Sequence, residues 1–157
     1  MWSAALKSVF ESCSPVQGEG NTQKFMIART APRSRIVIIE EVQETRDAIK
    51  ELLKRDGYWV DAVRDEDEAV DRIQRNHPDL ILISLEGALK QLIATAQRIR
   101  GRGGLTQQTP IVIFSLEAVP EGAEEELGEN IRVTAPDNFN QLRALLMRVL
   151  RVASRTH

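Results

Sequence analysis

Three stretches of this chain are apolar without alternation and stop abruptly at a polar group. Leu80-Ile81-Leu82-Ile83 ends at Ser84, Ile36-Val37-Ile38-Ile39 ends at Glu40-Glu41, and Ile111-Val112-Ile113-Phe114 ends at Ser115. Each run is too short for a helix and rich in isoleucine or valine, so it reads as a strand buried on both faces. Two weaker runs, Tyr58-Trp59-Val60-Asp61-Ala62-Val63 and Ile131-Arg132-Val133, are each interrupted by a charged residue, as edge strands are.

Between these runs the apolar period becomes helical. Val42, Ile49, Leu52 and Leu53 share a face up to Arg55, and Gly57 supplies a left-handed stop. Asp65 and Glu68 have the spacing of a capping box before Ala69, Val70 and Ile73, and Pro78 bounds that helix. Leu89, Leu92, Ile93, Ala96 and Ile99 give the clearest amphipathic helix, which Gly101-Arg102-Gly103-Gly104 is expected to end. Pro120 predicts a short fourth helix carrying Ala123 and Leu127, stopped by Gly128. A last helix begins at Pro136-Asp137 and buries Phe139, Leu142, Leu145, Leu146, Val149 and Leu150.

Five alternations of strand and helix imply parallel strands, right-handed crossovers and helices on both faces. With the continuous runs central and the weaker ones at the edges, the expected fold is α/β. It is a five-stranded parallel doubly wound sheet of order 2-1-3-4-5, in a flavodoxin-like three-layer sandwich. The switch point then falls between the first and third strands, where open α/β sheets place their sites. Glu40, Glu41 and Ser84 line that crevice, with Ser115 beside them.

Length and charge narrow the picture. The 157 residues suit one domain, over 35–152, between a flexible N-terminal tail, 1–34, and a C-terminal tail, 153–157. Two other readings of the N-terminal stretch are a short amphipathic helix with Trp2, Ala5, Leu6, Val9 and Phe10 on one side, and a translation start at Met26. A net charge of −2, from 21 basic and 23 acidic residues, gives no broad positive field, so no nucleic-acid partner is expected. One cysteine, Cys13, and two distant histidines, His77 and His157, form no disulfide and no metal-ligand cluster. The Gly101 to Gly104 cluster follows a helix instead of a strand, so it is no phosphate loop, and there is no G-x-S-x-G elbow. A non-enzymatic, cytoplasmic protein with no membrane span is expected, since no apolar run approaches the roughly 18 to 20 residues a span needs. A small α/β enzyme or nucleotide binder at the same crevice is the reading from another class.

The chain resembles the receiver domain of bacterial two-component response regulators over about residues 34–152. The resemblance rests on the apolar run ending in Glu40-Glu41, on Gly57-Tyr58-Trp59-Val60, on Pro78-Asp79-Leu80-Ile81-Leu82-Ile83, on Pro110-Ile111-Val112-Ile113-Phe114-Ser115, and on the closing helix from Pro136 to Leu150. It implies that an acidic pair holds a divalent cation, an aspartate ending the third strand accepts a phosphoryl group, a hydroxyl after the fourth strand senses it, and a lysine before the last proline binds it. Glu40 and Glu41 match the acidic pair and Ser115 the sensor. Ser84 stands at the acceptor position, Ala135 at the lysine position and Arg132 at the aromatic switch position, while Leu85-Glu86-Gly87-Ala88-Leu89 replaces the usual loop.

An acyl phosphate needs a carboxylate nucleophile, whereas a serine hydroxyl needs a general base. The resemblance therefore implies a phosphorylation-independent pseudo-receiver acting by protein–protein contact, with no cofactor and at most weak Mg2+ binding by Glu40 and Glu41. The signalling alternative is a phosphoaccepting regulator that uses Ser84 or Glu86. Arg132 is the candidate to swing toward the acidic pair and replace the lost positive charge. The partner face implied is the fourth-helix, fifth-strand and fifth-helix surface, with Glu117, Glu121, Glu124, Glu125, Glu126 and Glu129 offering an acidic dock for a basic partner, or a homodimer contact.

Overall fold

The computed structural model describes residues 33–155, so the expectations for the N-terminal stretch up to residue 32 and for the last two residues lie outside the described residues. Strands β1 (Arg35–Glu40), β2 (Trp59–Val63), β3 (Leu80–Ser84) and β4 (Ile111–Phe114) alternate with helices α1 (Gln43–Arg55), α2 (Glu66–Arg75) and α3 (Leu89–Gly103). After β4 come two consecutive strands, β5 (Glu124–Gly128) and β6 (Ile131–Thr134), and then helix α4 (Phe139–Arg155). The sheet runs β2-β1-β3-β4-β6-β5, parallel throughout except for the antiparallel β5–β6 pair. It is a flavodoxin-like sandwich, doubly wound, with a mixed sheet.

The unbroken apolar runs serve both faces by alternation. Ile36, Ile38, Leu80, Leu82, Val112 and Phe114 pack with Ile49 and Leu53 of α1 and with Phe139, Leu142 and Leu146 of α4. Val37, Ile39, Ile81, Ile83, Ile111 and Ile113 face the other way, onto Ile73 of α2 and Leu92, Ala96 and Ile99 of α3. Each side chain so buried contributes about 1.5–3 kcal/mol relative to exposure, so a strand with no polar position has no face that could be turned to water.

The helix expected around Ala123 and Leu127 is a strand instead. As a helix it would be barely two turns, and Glu121 would meet Glu124 and Glu125 at the spacings where like charges repel. As a strand the same residues separate. Glu124 and Glu126 point to one face, where they pair with Arg148 and, at 3.5 Å, with Arg132. Leu127 points to the other face, against the second core. Gly122, at φ 83°, breaks helical continuity, and Glu129 and Asn130, at φ 53° and 59°, form the two-residue turn of a hairpin. Among the described residues the sheet thus has six strands where five were expected, and β6, expected at the edge, is internal.

One guanidinium and two amide side chains clamp this hairpin. The buried Arg100 donates to the carbonyls of Thr106, Thr109 and Glu129, and the Asn130 side chain donates to Gln107 O at 2.9 Å. At the opposite end Gln141 of α4 donates to Gly122 O at 2.9 Å. Helix α4 begins at Phe139, after the predicted Pro136-Asp137 start, because the Asp137 and Asn138 segment turns ahead of it, with Asn138 Oδ1 accepting from Gln141 N at 3.0 Å. It runs on to Arg155, beyond residue 152.

The capping box forms with a shifted return. Asp65 Oδ1 accepts from Glu68 N at 2.9 Å, while Glu68 accepts from Arg64 N at 3.0 Å. Helix α3 also runs through Gly101 and Gly103, expected to end it, and stops at Gly104, φ 70°. A Cβ on Gly103 would stand 2.8 Å from Ile73 Cγ2, whereas one on Gly101 would meet nothing within 4 Å. Gly101→Ala is expected to raise stability by about 0.5–1 kcal/mol, since glycine inside a helix is costly. Gly103→Ala is expected to lower it by about 1–3 kcal/mol by forcing α2 and α3 apart. Urea denaturation midpoints measure both, and shifts of the same sign would contradict this close approach.

Candidate functional site

Parallel pairing of β1 and β3 sets Glu40 directly opposite Ser84 at the carboxyl ends of the two strands. The two residues share parity with Ile38 and Leu82, so both side chains belong to the face covered by α1 and α4. Ser84 Oγ donates to Glu40 Oε2 at 2.6 Å, and both residues are about 1% exposed. The other carboxylate oxygen of Glu40 accepts from Val42 N at 2.9 Å. Arg46, in the first turn of α1, donates to the Glu40 carbonyl at 2.9 Å and to that of Glu41 at 3.4 Å.

The acidic pair is therefore divided: Glu40 is turned in and Glu41 is exposed. Burial pushes the Glu40 carboxyl above the ordinary carboxylate range. The Ser84 hydroxyl, the Val42 N–H and Arg46 pull it down, and Glu41 adds to the rise. Among the described residues no group of three or more His, Cys, Asp or Glu is placed to hold a metal ion.

Ser115 follows β4, is buried, and donates its N–H to Thr134 O at 2.9 Å. Ala135, directly after β6, is fully buried. Arg132 does not reach the acidic pair. It lies on β6, with β3 and β4 between it and β1, and it pairs with Glu126. Its Nε is buried without a partner. The six glutamates divide among segments: Glu117 and Glu121 on the loop after β4, Glu124, Glu125 and Glu126 on β5, and Glu129 on the hairpin turn, all exposed. The fourth-helix face expected for them is replaced by this edge strand.

Sequence reasoning missed three polar residues here. Thr134 ends β6 as Ser84 ends β3, and its hydroxyl donates to Ala123 O at 3.2 Å. Its place at the end of an apolar run was the available signal. Arg46 was legible only through its position one helical turn after Val42. Thr45 is 4% exposed with its hydroxyl unpartnered, and a lone threonine in a first helical turn carries no signal.

A doubly wound α/β sheet with its polar strand ends gathered at the switch point defines a class of site, and the comparisons narrow it to one family. The response regulator receiver domain family matches residues 36–143. The chain belongs to that family, and so to the receiver domains of two-component signalling. No curated protein matches it. Among solved structures it is similar to a response regulator receiver modulated diguanylate cyclase from Pelobacter carbinolicus, at 21% identity and TM-score 0.58, covering 78% of this chain and 97% of that one. The chemotaxis protein CheY4 of Vibrio cholerae aligns at 20% identity and TM-score 0.59, over 75% of this chain and 99% of that one. The receiver domain of the sensor histidine kinase PA1611 from Pseudomonas aeruginosa PAO1, which has a magnesium ion coordinated in its active site cleft, aligns at 22% and 0.57, over 76% and 98%.

The raised pKa of Glu40 has a signed consequence. Folded protein holds this proton to higher pH than unfolded chain does, so stability from this group is fully present below the unfolded value and falls as pH rises through the folded one. Glu40→Gln is expected to abolish that fall, so urea midpoints of variant and wild type should diverge from the ordinary carboxylate range upward, with the wild type lower. Parallel pH profiles would show that the buried carboxyl is not the source.

Proposed function

We propose that this receiver domain is a pseudo-receiver, a signalling module that works by protein contact without phosphoryl transfer. The observation that carries the reading is the Ser84–Glu40 pair. Where the family resemblance places an accepting carboxylate, the chain has a buried hydroxyl already bound to the neighbouring acid. An acyl phosphate cannot form on a hydroxyl. Ala135 brings no cation to neutralise an incoming phosphoryl group, and Arg132 is engaged with Glu126, with two strands between it and β1. With Glu40 enclosed, Glu41 is the exposed carboxylate of the pair, which limits Mg2+ to weak binding at most. The domain is not an enzyme in this reading, and its partner is a protein.

One observation favours a second reading. A serine hydroxyl 2.6 Å from a carboxylate of raised pKa has the geometry of a nucleophile with its general base. In that case phosphate would be held as a serine ester.

Intact mass of the full chain after incubation with acetyl phosphate and magnesium tests both, with Ser84→Asp alongside to restore a carboxylate. Unmodified wild type is the expected result. An adduct that resists hydroxylamine and maps to Ser84 would establish the second reading, and a hydroxylamine-labile adduct on a carboxylate such as Glu86 would overturn phosphorylation independence outright.

A further inference from the structure

We propose that the free edge of β5 takes a basic, extended peptide segment of a partner protein as a seventh strand. The inference rests on the interaction-module reading and adds the mode of contact and the chemistry of the partner. It starts from the ladder. Ala135 N donates to Ala123 O at 3.2 Å, and Glu125 sits opposite Val133. Backbone groups in an antiparallel pair alternate in direction, so the Ala123 carbonyl and the backbone groups of Glu125 face β6 while those of Glu124 and Glu126 face outward; the Ala123 N–H turns instead to Pro120 O at 2.9 Å. Among the described residues no strand lies beyond β5 in the sheet.

The side chains select what can pair there. Glu124, Glu125 and Glu126 are consecutive and exposed. A second copy of β5 laid antiparallel on this edge would set glutamate against glutamate, and like charges directly opposite are unfavourable. The charges that prevent self-pairing favour a strand carrying lysine or arginine. Glu124 and Glu126 already share Arg148 and Arg132 on the α4 side. Glu125 projects to the opposite face beside Leu127, where a basic and an apolar residue two positions apart on the incoming strand would lie across from them.

The edge is also prepared. Arg100 and Asn130 hold the turn, and Gln141 and Arg148 hold the other end, so little order remains to be imposed on β5 when a strand arrives.

The test is a fluorescein-labelled peptide, Thr-Val-Lys-Arg-Lys-Val-Thr, titrated with the full chain at low and moderate salt. Glu126→Ala and Glu126→Pro both lose the contact to Arg132, but only proline removes the outward N–H, a change that edge strands tolerate. Saturable binding by wild type and Glu126→Ala is expected. A further loss of about tenfold is expected in Glu126→Pro, the size of one net backbone hydrogen bond. Glu125→Lys should weaken binding with a shallower salt dependence.

Amide hydrogen exchange on the wild type gives a readout that needs no variant to fold: the peptide should protect the Glu124 and Glu126 N–H groups. Equal binding by the alanine and proline variants together with unprotected amides would overturn strand addition and leave only charge attraction. Absence of binding at low salt, or a dimer in sedimentation that Glu126→Pro abolishes, would overturn the basic partner. Mass of the same sample separates the two ideas, since a phosphoryl adduct with intact edge binding would remove only phosphorylation independence.

Discussion

Burial of the central strands on both faces is the constraint from which the rest of this molecule follows. A parallel strand whose core positions are all large and apolar has no side that can meet water, so each face of β1, β3 and β4 requires its own cover. Helices α1 and α4 close one face and α2 and α3 the other. Polar residues are pushed to the strand ends, and register then decides which of them meet. Glu40 and Ser84 touch because parallel pairing makes them partners and equal parity sends both side chains to the same face.

That contact turns a strand-end crevice into a closed arrangement. A carboxylate with one oxygen on a serine hydroxyl and the other on a backbone N–H has its strongest acceptor directions occupied from inside the protein. Desolvation works against the charge while these bonds work for it, and desolvation is the larger effect. Polar groups of this receiver domain are thus engaged with one another: Glu40 with Ser84, Arg132 with Glu126, and the backbones of Ser115 and Thr134 with each other.

Most of the architecture was legible because doubly buried strands leave an unmistakable pattern. The capping box was legible as well, since Asp65 and Glu68 satisfy orphan N–H groups through local chemistry alone, even though the return bond lands on Arg64. The segment from Pro120 to Gly128 was not. Its charges show neither period 2 nor period 3.6, and its strand character comes from tertiary partners: Arg132 and Arg148 for the glutamates, and Arg100 and Asn130 for the turn. Gly101 and Gly103 misled for a related reason. Gly103 is there to let Ile73 approach, a contact between helices that no local signal in α3 describes. The inward turn of Glu40, by contrast, was available from parity with Ile38.

The hairpin alters how the last strand can be assembled. Parallel strands joined by a crossover must close a long loop before pairing, and such non-local closure is slow. Here β6 has a neighbour two residues away in sequence, and a hairpin forms locally in about 1–10 μs. The carboxyl-terminal part of the sheet can therefore reach β4 as a preassembled two-stranded unit, its polar backbone already half satisfied. In this receiver domain the element that precedes the final strand is also its nearest pairing partner along the sequence.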